Sequence, residues 1–301
     1  MSRSNRLVVC WSRIIGLLAA LVTLTLLPAC SAVKLGYNNA PDLIYWWLDG
    51  YADLTEPQSV KVREELVRLQ QWHRSNELPK IADLLQKLGQ LAPGNTTPEQ
   101  VCGLFSDARA RIDAVITQVE PAAVALAMGL SAPQLSHIEG KYAKINAEWR
   151  DEWLAGSLAK RQAKRLKLLV ERNEQFYGSL EERQIAVLRD AITHADFDPQ
   201  FSYAERLRRQ QDLLQTLRQT SDISSDNRLS PAQSAAALRA YLDRSVNSPN
   251  PVYRARLEKE SADNCTTIAQ LHNSTSTEQR ERAARRLAAY QRDARELAAQ
   301  R

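Results

Sequence analysis

Long stretches rich in Ala, Leu, Gln, Glu and Arg repeat apolar residues three and four positions apart, and no convincing run alternates β-branched with polar residues. That pattern predicts helices and no sheet. Ile112, Val115, Ile116 and Val119 form one apolar stripe, and Leu213, Leu214 and Leu217 another. Punctuation sharpens the picture. Thr55–Gln58, Thr97–Gln100, Ser131–Gln134, Ser230–Gln233 and Ser276–Gln279 each place Ser or Thr three residues before Gln. This is the capping box: the hydroxyl accepts from the amide three residues on, and the Gln side chain accepts from the cap amide. Proline in the first turn of several boxes loses no hydrogen bond there. With a sixth box at Ser179-Leu180-Glu181-Glu182, helices are predicted to begin near 56, 98, 132, 180, 231 and 277.

Pro79, Pro121, Pro199, Pro249 and Pro251 stand where the preceding helices should end or bend, and Gly89, Gly129 and Gly178 mark further ends or kinks. Residues 131–177 read as one long helix of about 70 Å at 1.5 Å per residue, with room for a bend near Gly156. Short polar connections make successive helices pack as neighbours. The predicted fold is therefore all-α, an elongated antiparallel bundle of about six to eight helices.

The first residues depart from this pattern. Arg3, Arg6 and Arg13 lead into an apolar run over residues 14–27, with no acidic residue before Cys30. A run of that length is short of the roughly 20 residues a spanning helix needs, so it reads as a signal peptide. It closes on Leu27-Pro28-Ala29-Cys30, which resembles the lipobox of bacterial lipoproteins. The resemblance implies cleavage before Cys30, acyl chains on that cysteine, and, with Ser31 rather than Asp following it, an outer-membrane address facing the periplasm. Several acyl chains anchor durably because each buried methylene contributes about 0.8 kcal/mol. The organisation expected is a signal peptide at 1–29, a lipid-anchored aromatic segment at 30–53 and a helical periplasmic domain at 54–301. No cofactor is expected beyond the covalent lipid.

Processing changes the charge. The chain has 40 Lys and Arg against 35 Asp and Glu, and removing three signal arginines leaves 37 against 35. A nucleic-acid partner loses its electrostatic support. Cys10 leaves with the signal and Cys30 carries lipid, so Cys102 and Cys265 remain for an oxidising compartment and are expected to pair. Such a bond stabilises by about 4 to 5 kcal/mol in the chain-entropy picture. Two buried free thiols, or a redox pair lacking C-x-x-C spacing, are the alternatives.

Leu54-Thr55-Glu56-Pro57-Gln58, Leu130-Ser131-Ala132-Pro133-Gln134 and Leu229-Ser230-Pro231-Ala232-Gln233 each head a cap with leucine. They resemble the L-T-x-x-Q signature of the small periplasmic chaperones of the Spy and CpxP type, whose helical hairpins cradle unfolded clients. A leucine there is equally a hydrophobic staple of an ordinary helix. Leu35-Gly36-Tyr37-Asn38-Asn39-Ala40, followed by Trp46-Trp47-Leu48-Asp49 and Tyr51-Ala52-Asp53-Leu54-Thr55, resembles the opening of an uncharacterised family of proteobacterial lipoproteins, as does the later Arg206-Leu207-Arg208-Arg209-Gln210-Gln211. That resemblance implies location and a helical body, and no mechanism.

Two constellations are candidates for contact. Tyr37, Tyr45, Trp46, Trp47 and Tyr51 follow closely on the lipid and suit a membrane or partner interface; the alternative is that they cap one end of the core. Lys160, Arg161, Lys164, Arg165 and Arg172, with Lys167 between, form a basic stripe able to hold an anionic partner, or a solvated helix face. Catalysis finds little support. His73, His137, His194 and His272 stand far apart, and H-E-x-x-H, G-x-S-x-G and phosphate-loop motifs are missing. Glu148, Asp151 and Glu152 read as surface charge before they read as a carboxylate pair. The sequence thus points to a protein that binds, with no enzymatic role. Its partners would be protein clients, as a chaperone-like or envelope-maintenance factor; the alternatives are a scaffold with one fixed envelope partner and, behind it, an envelope hydrolase.

Overall fold

The computed structural model describes residues 29–195, 197–221 and 229–300, with side chains from residue 33 onward. The signal segment and the Cys30 side chain, with its expected lipid, lie outside the described residues. Residues Met1–Ala40 and Pro41–Arg301 form two units. The described part of the first is α1 (Ala29–Asn38), closed where the backbone and side-chain amides of Asn39 both donate to the Leu35 carbonyl.

The second unit is built from α2 (Ala40–Ala52), α3 (Glu56–Asn76), α4 (Leu78–Leu91), α5 (Pro98–Met128), α6 (Ala132–Trp153), α7 (Leu158–Tyr177), α8 (Glu182–His194), α9 (Pro199–Ser221), α10 (Pro231–Val246), α11 (Pro251–Asn273) and α12 (Thr277–Ala299). The fold is all-helical, as expected. Five predicted starts fall on the first residues of α3, α5, α6, α10 and α12, each behind its Ser or Thr cap. The sixth is displaced: α8 is capped by Glu181, whose amide donates to Gln184 Oε1, rather than by Ser179.

Twelve helices among the described residues exceed the six to eight expected, because several begin without a Gln-type box. Ser157 caps α7, Asp198 accepts from the amides of Gln200 and Phe201 at the start of α9, and Asn250 accepts from those of Val252 and Tyr253 in α11. The long helix over 131–177 is two helices. Gly156 adopts φ +89°, a conformation that L side chains rarely adopt, and α6 stops at Trp153. The longest helix among the described residues is α5, 31 residues, which runs through Pro121 rather than ending there. It then meets α6 at a bend of 113°.

Packing is less local than the short connections suggested. α12 lies along α4, α11 along α5, and α5 also touches α3, α4, α9 and α10, so the middle of the unit is α5. Leu54 and Leu130, the leucines ahead of two boxes, join Ala127, Leu135, Ile138, Leu214 and Leu217 in one apolar cluster. A second cluster joins Leu180, Leu188 and Leu271 with Leu166, Leu169 and Val170 of α7. The predicted stripe on α5 is only partly inward, since Ile112 is exposed. Cys102 of α5 and Cys265 of α11 are joined as a disulfide with their Cα atoms 5.5 Å apart, inside a cluster with Val101 and Ala269.

Candidate binding groove

α7 carries the basic run into a groove. Apolar residues Leu166, Leu169 and Val170 seat the helix on α8 and α11, which leaves Arg165 and Arg172, seven positions apart and so on one face, along its edge. The groove has a volume of about 860 Å³ and is walled by α7, α8 and α11, with Phe105 of α5 at one end. Leu169, Leu188, Ile192 and Leu271 form its floor, the last three almost fully buried.

The rim is charged. The half-buried Arg165 guanidinium sits 4.4 Å from the Phe197 ring centre; burial holds its pKa below the usual range, with Glu260 opposing. Arg256 lies 4.6 Å from the Phe201 ring centre and 3.9 Å from Asp198. Two rim carboxylates are engaged locally, Asp263 with Lys259 at 2.6 Å and Asp190 with His194 at 3.1 Å. Arg165 and Arg172 make no ion pair within 4 Å among the described residues. An apolar trough edged by arginines can hold an extended chain that presents apolar side chains downward and carboxylates to the rim. Among the described residues no group of three or more His, Cys, Asp or Glu could hold a metal.

The expected basic stripe is therefore divided. Arg165 and Arg172 face the groove. Arg161 donates to the Gly156 carbonyl at 2.7 Å, fastening the turn into α7. Lys164 pairs with Glu152 at 2.5 Å and lies 4.9 Å from the Trp153 ring centre, so both residues join α6 to α7. Lys160 is exposed.

The aromatic segment divides too. Tyr37 belongs to the first unit. In the second, Tyr45 is buried, donates to Ser59 Oγ at 3.0 Å and lies under the Arg63 guanidinium at 3.5 Å. Tyr51 packs edge-on to Tyr142. Trp46 and Trp47 are 64% and 61% exposed. The run at 206–211 is structural. Arg206 and Gln210 both bond Asn146 of α6, and Arg208 and Arg209 both bond the buried Glu205 carboxylate. Arg208 also pairs with Asp212, which Arg244 grips with two bonds, so the network ties α9 to α10.

Sequence reasoning missed the most specific polar feature. Gln58 and Gln134, each already bonded to its own cap amide, also bond each other, Gln134 Nε2 to Gln58 Oε1 at 2.7 Å. Gln58 Nε2 donates to the Gly129 carbonyl and Gln134 Nε2 to that of Asp53, each two residues before the partner's cap. Asp53 holds φ +47° at that point. The arrangement recurs at Gln184 and Gln279, with the carbonyls of Ser274 and Ser179 as acceptors. The signal was present in Leu180-Glu181-Glu182-Arg183-Gln184, which repeats the leucine-to-glutamine spacing of Leu54 to Gln58 with Glu as the cap. Beside the second pair, buried His272 bridges the Tyr177 hydroxyl at Nδ1 and the Gly94 carbonyl at Nε2. Because the carbonyl only accepts, Nε2 carries the proton and Nδ1 accepts from Tyr177.

No curated protein and no solved structure matches the chain. One family model does, over residues 50–231, a span that takes in the run at 206–211 and the first clasp of glutamines but ends before Arg244 and before α11, one wall of the groove. That span is more than half of the chain, and the protein belongs to the family it describes, the family of unknown function DUF6279.

Proposed function

We propose that this protein is a lipid-anchored periplasmic lipoprotein that works by holding segments of other envelope proteins, as a chaperone-like or envelope-maintenance factor. The observation that carries the proposal is the groove of α7, α8 and α11, whose apolar floor and arginine rim match an unfolded segment rather than a small substrate. The joined Cys102 and Cys265 agree with an oxidising compartment. The paired leucine-headed caps, Leu54 to Gln58 against Leu130 to Gln134, support the likeness to chaperones of the Spy and CpxP type, since the motifs meet in space. Anchoring through Cys30, cleavage ahead of it and an outer-membrane address belong to the proposal and rest on the lipobox.

In-cell photo-crosslinking from positions 169 and 257 in the groove, with exposed position 160 as control, tests it. A broad spread of immature envelope proteins captured from the groove positions is expected, reduced when Arg165 and Arg172 are both changed to Glu. One dominant partner at fixed stoichiometry would replace the chaperone with a scaffold. Equal capture from all three positions would remove the groove from the account.

A further inference from the structure

The outward face of α2 is the second surface of note. Its apolar residues Leu43, Ile44, Trp46 and Trp47 are between 41% and 64% exposed, an unusual concentration for a face next to a well-buried tyrosine. On a helix, positions 43, 44, 46 and 47 fall within an arc of about 160°, and Tyr45 points the other way, into the unit. The tryptophans are therefore not core residues awaiting a neighbour on α3; the inward side of α2 is already occupied by the contacts of Tyr45 with Ser59 and Arg63.

Charge decides what covers this face. Of the nearby aspartates, Asp42 is neutralised by its pair with Arg63 at 2.9 Å, and Asp49 keeps its charge but is turned to the Leu54 amide. The lysine that borders the face meets a ring and, among the described residues, no carboxylate. Lys141 Nζ lies 3.9 Å from where a Cβ would stand at Gly50, and 5.5 Å from the Tyr51 ring centre, with no carboxylate within 4 Å among the described residues. Lys144, one turn further along α6, is exposed and likewise without such a partner. Indole rings bordered by a lysine suit the headgroup layer of a bilayer, where the ring body meets acyl chains, its N–H meets ester and water, and the ammonium group meets phosphate. Cys30 stands thirteen residues before Leu43, so the chain between them spans at most about 45 Å and keeps the face close to any lipid carried there.

We propose that Leu43, Ile44, Trp46 and Trp47, bordered by Lys141, dock onto an anionic phospholipid surface and thereby orient the helical unit on its membrane. The proposal rests on the lipid-anchored reading above only for proximity; the face itself is independent of it.

The test uses the full acylated chain in vesicles of phosphatidylethanolamine and phosphatidylglycerol whose acyl chains carry bromine. Flotation reads anchoring, and bromine quenching of tryptophan fluorescence reads docking. Quenching is expected in the wild type, with most of it lost in Trp46→Phe/Trp47→Phe while Trp72, Trp149 and Trp153 still report a folded chain. Replacing phosphatidylglycerol with phosphatidylcholine, or Lys141 with Glu, should reduce it. A chain that floats without quenching overturns docking and leaves anchoring intact. A chain that fails to float contradicts anchoring, and the same vesicles then read the free chain, where absent quenching overturns docking as well. Quenching that survives the double variant overturns it too, as does a dimer in sedimentation that the double variant breaks, because a second copy would then cover the face.

Discussion

Gln184 of α8 and Gln279 of α12 hold each other across the starts of two helices 95 residues apart, each amide nitrogen donating to the other's oxygen. Each side chain also accepts from its own cap amide and donates to the carbonyl two residues before its partner's cap. The donors and acceptors of two amides are thus satisfied by two helix termini. Because Gln184 is fully buried, removing it strands several polar groups at once.

Gln184→Ala is expected to lower unfolding free energy by about 2 to 3 kcal/mol, more than the roughly 1 kcal/mol of an ordinary cap. The double variant with Gln279→Ala should cost clearly less than the two singles added together, since both singles break the same pair. Urea titrations of the four proteins check this; strict additivity would show that the two side chains act apart.

Reduction, or Cys102→Ser, should remove about 4 to 5 kcal/mol by freeing a loop of 163 residues in the unfolded chain. Non-reducing electrophoresis should show a mobility change on reduction that Cys102→Ser abolishes. Two reactive thiols in untreated protein would contradict the bond.

The carboxylate of Glu77, at the junction of α3 and α4, is 1% exposed and lies 2.8 Å from Lys80 and 3.2 Å from Arg111. Glu77→Ala leaves the partly buried Arg111 without its counter-ion and should destabilise by about 3 kcal/mol. Glu152→Ala breaks the exposed pair with Lys164 and should change stability by less than about 1 kcal/mol. Thermal melts of both variants compare the two.

Burial lowers the pKa of His272, opposed by its bond to Gly94, and burial lowers that of His73, opposed by Glu77. The folded protein thus prefers both imidazoles neutral, whereas the unfolded chain protonates them near pH 6.5. Stability should be full above that pH and decline as pH falls from it toward the depressed folded values. His272→Gln should flatten part of the decline, leaving the share due to His73. A wild-type stability curve flat between pH 7 and 5 would count against this account.

The local code is legible to the residue where it is local. Five capping boxes name the first residues of five helices because cap geometry is settled within four positions. Caps supplied by Asp198 and Asn250 lack the Gln of a box, and the prolines after them, Pro199 and Pro251, read in the sequence as ends of the preceding helices, stand instead at the first positions of α9 and α11. Gly156 marks a place to bend, but its letter alone does not tell that φ +89° ends the helix outright. The groove is half visible: Arg165 and Arg172 stand out as a run, whereas Leu188, Ile192, Arg256 and Leu271 come from helices distant in sequence and leave no spacing to read. Within the aromatic segment, composition cannot separate Tyr45 from Trp46, since one residue along a helix is a turn of about 100° and hence the difference between core and surface.

The break at Gly156 has a mechanical side. α7 extends about 30 Å from it, so a rotation of about 10° at the glycine would sweep the far end through about 5 Å. Two fastenings there resist such a swing. Tyr177 is bonded to His272, and Gly178, at φ +78°, is so close under Arg282 that a Cβ would come within 2.7 Å of its guanidinium. The helix is a beam pinned at both ends, by Arg161 and Lys164 near Gly156 and by Tyr177 at the far end, which holds the α7 wall of the groove in place.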